Sequence, residues 1–340
     1  MSKGNVITNM TGAKFDKAIL GKWLKNILAL IILGFLIWYL AGNWGQLKEL
    51  LKLSPGQLIL IYILWFFLSL SSARVVQCLL NGLRTKTRFW DMVLLHNAAI
   101  LLNYAPMKFG TLFRANYLKR HYGLRYAHFA TFFLYITFLM TATAAIIGLV
   151  VLVTIYGLSG YDNKVLALVF AVTITASLLF LFVPLPIPAG QGQLRNVLRN
   201  FLSGRSQVAK ERKTILTATA YLVMNFFLAA VRLAIIYESM GRSIHFGGYL
   251  ILGALGFVVL FIALTPGSLG IRELVLTFGA VVLGVPGKVG LLAAMIDRAI
   301  IISYAFVVGG ICTVWLWHKS PADFKKQEQN SNLQEDGNNS

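Results

Sequence analysis

Residues 249–286 read YLILGALGFVVLFIALTPGSLGIRELVLTFGAVVLGVP, an apolar stretch broken in its middle by Thr265-Pro266-Gly267-Ser268. A single helix crosses about 30 Å of hydrocarbon with about 20 residues, so this stretch is far too long for one crossing. Proline lacks an amide proton and clashes with the preceding turn, and glycine gives up most on helix formation, so the helix ends at Pro266-Gly267. The flanking loop at 238–248 is nearly neutral, which places both ends of the stretch on the same outer face. The expected element is a re-entrant hairpin that dips into the membrane and returns.

Working outward, apolar runs long enough to cross lie at 24–42, 58–80, 127–156, 165–184, 215–237 and 289–317, giving six expected full spans. A second short run, 92–105, is flanked by bases on both sides and reads as another re-entrant hairpin. Bases concentrate before residue 26 and in segments 84–88, 106–126 and 185–214, which the positive-inside rule assigns to the cytoplasm. The loops at 43–57, 157–164 and 238–248 then lie outside. Trp23, Trp44, Trp90, Trp315 and Trp317 fall at or near span ends, where amphipathic rings favour the headgroup layer. Residues 1–23 are expected to be a cytoplasmic segment, 24–318 one transmembrane domain, and 319–340 a disordered cytoplasmic tail. Residues 191–203 have the pattern of an interfacial amphipathic helix. The fold class expected is therefore an all-α polytopic protein of the inner cell membrane, with both termini in the cytoplasm.

Composition agrees and excludes other classes. Of 340 residues, 57% are hydrophobic and 13% charged, with a mean hydropathy of +0.71, which rules out a water-soluble globule. The net charge of +19 resides in the gaps between apolar runs and has no soluble scaffold, so it indicates a membrane and not nucleic acid. Cys78 and Cys312 lie inside separate apolar runs, which suits packing. The five histidines (His96, His121, His128, His245, His318) are scattered, and neither a metal nor a cofactor is expected. Phosphate-loop, dinucleotide, zinc-protease and nucleophile-elbow motifs are absent from the sequence, so no enzymatic activity is expected.

The two halves of the chain share landmarks. Arg74, Gly82, Pro106 and Gly110 recur as Arg232, Gly241, Pro266 and Gly270, at offsets of 158, 159, 160 and 160 residues. With the sides assigned above, residues 58–156 and 215–317 form two units of opposite orientation, the inverted-repeat plan of secondary transporters. Charges at membrane depth are costly and mark the candidate site. Arg74 and Arg232 are expected to mirror one another and point at their hairpins. Asp297 and Arg298 are neighbours about 100° apart on a helix, so each needs another partner. Glu273 is expected to take Arg298, and Arg272 or Arg232 to take Asp297. Around the first break lie Asn103, Lys108 and Arg114, of which Lys108 and Arg114 are expected to form a cationic mouth suited to an anionic headgroup. The breaks themselves are Pro106 and Gly110 in the first unit and Pro266, Gly267 and Gly270 in the second.

Two stretches, Asn103-Tyr104-Ala105-Pro106-Met107-Lys108-Phe109-Gly110 with Arg114, and Leu264-Thr265-Pro266-Gly267-Ser268-Leu269-Gly270-Ile271-Arg272-Glu273, resemble the paired signatures of the lysylphosphatidylglycerol synthase transmembrane (flippase-like) family. The resemblance covers about residues 20–318 and implies the lipid-handling membrane part without a soluble aminoacyl-transferase domain. Lys108 and Thr111 stand where that family has Arg and an acidic residue, and Tyr135-Ile136-Thr137-Phe138 replaces its charged pair, so the resemblance implies an asymmetric site. The function expected is a lipid flippase or transporter holding the phosphate of an anionic phospholipid or a polyprenyl-phosphate-linked lipid in a polar groove. The alternative is a non-transporting accessory protein that presents lipid to a separate glycosyl- or aminoacyl-transferase. An ion or small-solute carrier ranks third. The expected partners are the bilayer, such a lipid and a lipid-modifying enzyme.

Overall fold

A computed structural model describes residues 53–105, 109–183, 193–259 and 270–318, with Gly42 and Gly45; within 193–201 the description is of the backbone alone. The chain divides into two units, Met1–Trp44 and Gly45–Ser340, and all that follows concerns the second. The expected span at 24–42 apart from Gly42, the tail at 319–340, the break residues Pro106, Pro266 and Gly267, and the candidate binding residue Lys108 lie outside the described residues.

All regular structure among the described residues is helical. The helices in chain order are α1 (Pro55–Gly82), α2 (Phe89–Leu102), α3 (Phe109–Tyr122), α4 (Tyr126–Tyr156), α5 (Tyr161–Phe182), α6 (Gln193–Lys210), α7 (Arg212–Ser239), α8 (Phe246–Val258), α9 (Ile271–Val282) and α10 (Gly287–His318). Five of them, α1, α4, α5, α7 and α10, are long and apolar enough to cross a membrane, and they carry five of the expected spans. Their outward faces bear Ile59, Phe67, Leu168, Val172, Phe227, Val307 and Ile311, all exposed, in the pattern of helices bathed in acyl chains. The chain is a multi-pass membrane protein.

Local chemistry sets several ends. Ser54 caps α1 by accepting from the Gln57 amide, Gln57 reaches back to the Ser54 amide, and Pro55 fills the first turn, where no amide donor is needed. At α9, Gly270 adopts φ of 80°, a left-handed conformation open to glycine at little cost, and its amide donates to Glu273 Oε2 at 2.9 Å. The chain can therefore turn sharply and enter α9 with its carboxylate already held.

Two sequence expectations need correction. Segment 106–126 reads as a basic cytoplasmic loop, yet Phe109–Tyr122 is a helix packed antiparallel on α2. The 92–105 run is thus one limb of a hairpin, and the basic segment supplies the other. The cause is the close fit at Gly110: a Cβ there would come within 2.2 Å of the Ala99 carbonyl oxygen, so only glycine lets the two limbs touch. The amphipathic helix expected at 191–203 runs from Gln193 to Lys210, carrying Arg205 to a contact with the Val183 carbonyl.

Element lengths repeat along the chain. The series α1–α4 has 28, 14, 14 and 31 residues; the series α7–α10 has 28, 13, 12 and 32. Packing is reciprocal. Helices α1 and α7 lie against each other at the centre, where Ser71 donates to the Tyr221 carbonyl and Asn225 to Ser72. Helix α2 packs on the C-terminal half of α10, with Gly309 against the Asn97 carbonyl. Helix α8 packs on the C-terminal end of α4, with Gly247 and Gly248 against Val151, Ile155 and Tyr156. Small residues let backbones approach where lipid offers no hydrophobic drive to association. Both receiving helices contain a π-helical turn at the contact, Leu152–Tyr156 and Ala305–Gly309.

Candidate functional site

The charged residues of the second hairpin converge. Asp297, completely buried on α10, receives Arg232 from α7 and Arg272 from the first turn of α9, each at 2.8 Å. Arg298, one residue further on, turns to Glu273 at 3.1 Å. The expected pairings therefore form, and Asp297 takes both of its candidate partners. The 100° between adjacent helical positions explains the division: Asp297 faces Arg232 and Arg272, and Arg298 faces Glu273.

Each member is held in place by the fold. Arg272 crosses the open face of Gly256 on α8, with a guanidinium nitrogen 3.5 Å from where a Cβ would stand. Glu273 is fixed from behind by the Gly270 amide. Arg232 lies over the Trp65 ring at 4.7 Å, and Trp65 stacks on Tyr304 at 5.4 Å. Exposure falls inward across the group: the Arg272 side chain is 19% exposed, that of Arg232 5% and that of Arg298 2%. Arg272 forms the lip.

Charge accounting gives the group its chemistry. Three guanidinium groups meet two carboxylates, leaving one positive charge in excess. A buried charge without a counter-ion costs several kcal/mol, so this residual charge favours an anion at the lip. Arg232 Nε and Nη1 are shielded and have no hydrogen-bond partner among the described residues.

The remaining expected residues go elsewhere. Arg74 is exposed, hydrogen-bonded to Gln77 at 2.9 Å and laid over the Phe89 ring at 3.7 Å, so it does not mirror Arg232. The reason is register: Arg74 is the twentieth residue of α1, whereas Arg232 is the twenty-first of α7. One residue turns a helical side chain by about 100°, and the position matching Arg232 is the buried Val75. Asn103 caps α3, its Oδ1 accepting from the Thr111 amide at 3.1 Å. Gly110 is the contact between the limbs. Arg114 sits midway along α3 and faces α2, away from the cluster.

Sequence reading missed three contributors: Trp65, Tyr304 and Gly256. Trp65 carried a signal, since it lies eleven residues into a span and far from the interfacial belt that tryptophans favour. Gly256 and Tyr304 carried none, because an apolar helix surface gives no clue to which charge will cross it.

The fold and the buried ion network define a multi-pass helical membrane protein with a polar centre built around hairpins. Residues 26–309 match the family model of the lysylphosphatidylglycerol synthase TM region, and the chain belongs to that family. No curated protein and no solved structure matches it.

Proposed function

We propose that the protein is a lipid flippase of the cell membrane, in which the Arg232–Arg272–Arg298 group holds the phosphate of an anionic or polyprenyl-phosphate-linked lipid. The single observation that carries this is the excess guanidinium in a buried cluster whose least buried member, Arg272, stands at the lip. A phosphate can take two parallel hydrogen bonds from a guanidinium, a geometry lysine cannot reproduce. Chains would remain in the bilayer while the headgroup moves along the protein, sparing it the cost of entering hydrocarbon bare.

Transport needs two states. The matching element lengths and reciprocal packing of α1–α4 and α7–α10 support an inverted pair of repeats, with the hairpins entering from opposite leaflets and the N- and C-termini cytoplasmic. Rocking of one unit against the other would expose the phosphate alternately to each side. The π turns at the crossed contacts are suited to that motion, since they locally relax the helical ladder. The family's name points to a phospholipid as the molecule handled. No enzymatic step is required of the chain.

The test is flux. Purified protein in liposomes containing labelled phosphatidylglycerol should accelerate exchange between leaflets over empty vesicles, and Arg272→Gln should remove most of the gain. Absence of acceleration with phosphatidylglycerol, phosphatidic acid and a polyprenyl phosphate, each with and without a pH gradient, overturns the reading.

A further inference from the structure

The first hairpin brings a guanidinium and an imidazole together with no carboxylate partner among the described residues. Its limbs α2 and α3 run antiparallel, and two contacts fix their register: Gly110 against Ala99, and Tyr122 donating to Asp91 at 2.7 Å. Pairing residues inward from these contacts brings His96 opposite Arg114. Both are half-buried, and each presents a shielded atom, His96 Nδ1 and Arg114 Nε, that finds no hydrogen-bond partner among the described residues.

No acidic group among the described residues answers them. Asp91 is the only carboxylate in the sequence of either limb, it lies about 7.5 Å along the helix from His96, and it is occupied by Tyr122. Burial and the neighbouring Asp91 push the Tyr122 phenol above its ordinary value, so it remains a donor to that carboxylate. Helix α3 also carries Lys119, Arg120 and His121. A guanidinium and an imidazole facing one another, each with a shielded nitrogen that has no partner among the described residues, leave hydrogen-bonding capacity that an incoming anion can use.

We propose that Arg114 and His96 form a second anion station in the first hairpin, selective for a phosphate group and separate from the Arg232–Arg272–Arg298 cluster. It rests on the preceding reading for its phosphate chemistry, but it uses none of the same residues. Arg114 supplies the charge and His96 one N–H donor. A lipid headgroup and free inorganic phosphate present the same oxygens, so they are separated by experiment.

The experiment measures equilibrium binding of two probes, inorganic phosphate and short-chain phosphatidylglycerol, to the full chain in nanodiscs of zwitterionic lipid. The wild type should bind two equivalents of the occupying probe. Arg114→Gln should remove one equivalent and leave the other, Arg272→Gln should do the reverse, and His96→Gln should weaken the first station about tenfold, as loss of a hydrogen bond to a charged group does. Filling by inorganic phosphate alone identifies a free-anion station, and filling only by phosphatidylglycerol identifies a headgroup station.

Unchanged stoichiometry and affinity in both Arg114→Gln and His96→Gln overturn the proposal. Elution profile and thermal midpoint report folding; should Arg114→Gln not fold, Arg114→Lys and His96→Gln decide, and unchanged binding in that pair overturns it equally. Loss of binding in Arg272→Gln alone removes this station and leaves the flippase reading standing. Loss of one equivalent in Arg114→Gln without lipid flux in the wild type does the opposite.

Discussion

The two hairpins have limbs of nearly the same length but pair their buried cations differently. Limbs of 14 and 14 residues in the first answer limbs of 13 and 12 in the second, and each hairpin packs on the last long helix of the other series. In the second hairpin, buried cations are tied to Asp297 and Glu273. In the first, Arg114 and His96 face each other with no carboxylate partner among the described residues. Matching limb lengths therefore do not carry matching ion pairs: a close crossing of two short helices accommodates cations with carboxylate partners or without them, depending on a few side chains.

The contrast can be broken most sharply at Asp297. Asp297→Asn strands Arg232 and Arg272 together, and removing one partner of a buried pair costs about 3–5 kcal/mol, so the thermal midpoint in detergent should fall steeply. Arg114→Gln should leave the midpoint unchanged or raised, because it removes a charge that has no partner. If the two variants behave alike, the electrostatic difference between the hairpins is not real.

A smaller loss is expected for Glu273→Gln. The amide oxygen can still accept from the Gly270 amide, so only the pairing with Arg298 is weakened, at about 1.5–3 kcal/mol. Glu273→Ala removes the cap as well and should fall further, again read as a midpoint. An order reversed between these two variants would show that the Gly270 contact contributes nothing.

Glycines compare the crossings themselves. Gly110→Ala drives a Cβ to 2.2 Å from the Ala99 carbonyl and must part the limbs, at about 1–3 kcal/mol, with loss of phosphate binding at Arg114. Gly256→Ala meets Arg272 at 3.5 Å, ordinary contact, and should stay within about 0.5 kcal/mol of wild type. The smallest effect belongs to Arg74→Gln, expected to alter neither flux nor midpoint, because Arg74 is exposed and outside both groups. A flux loss there would restore the mirror relation with Arg232.

Much of this was legible in the chain. Long apolar runs gave five of the crossing helices, and the Pro-Gly interruption within 249–286 marked the second hairpin. The pairing of Asp297 and Arg298 with Arg272, Glu273 and Arg232 followed from the cost of charge at depth, which leaves few acceptable partners. The first hairpin was only half read: hydropathy finds α2, but α3 is polar enough to pass for a loop, and nothing local says that Gly110 will bring it against Ala99. The likeness of Arg74 to Arg232 failed by one residue, a shift that sequence offsets tolerate and helical geometry does not.

The sequence by itself determined the membrane class, the spans and the need for buried partners, because burial of apolar length and desolvation of charge depend on residue type and spacing alone. Only the tertiary structure decided which charges meet, which face of each helix turns inward, and that the buried cations of one hairpin meet carboxylates while Arg114 of the other meets none among the described residues. Those outcomes depend on contacts between helices distant in the chain, where a rotation of one residue or the absence of one Cβ changes the partner.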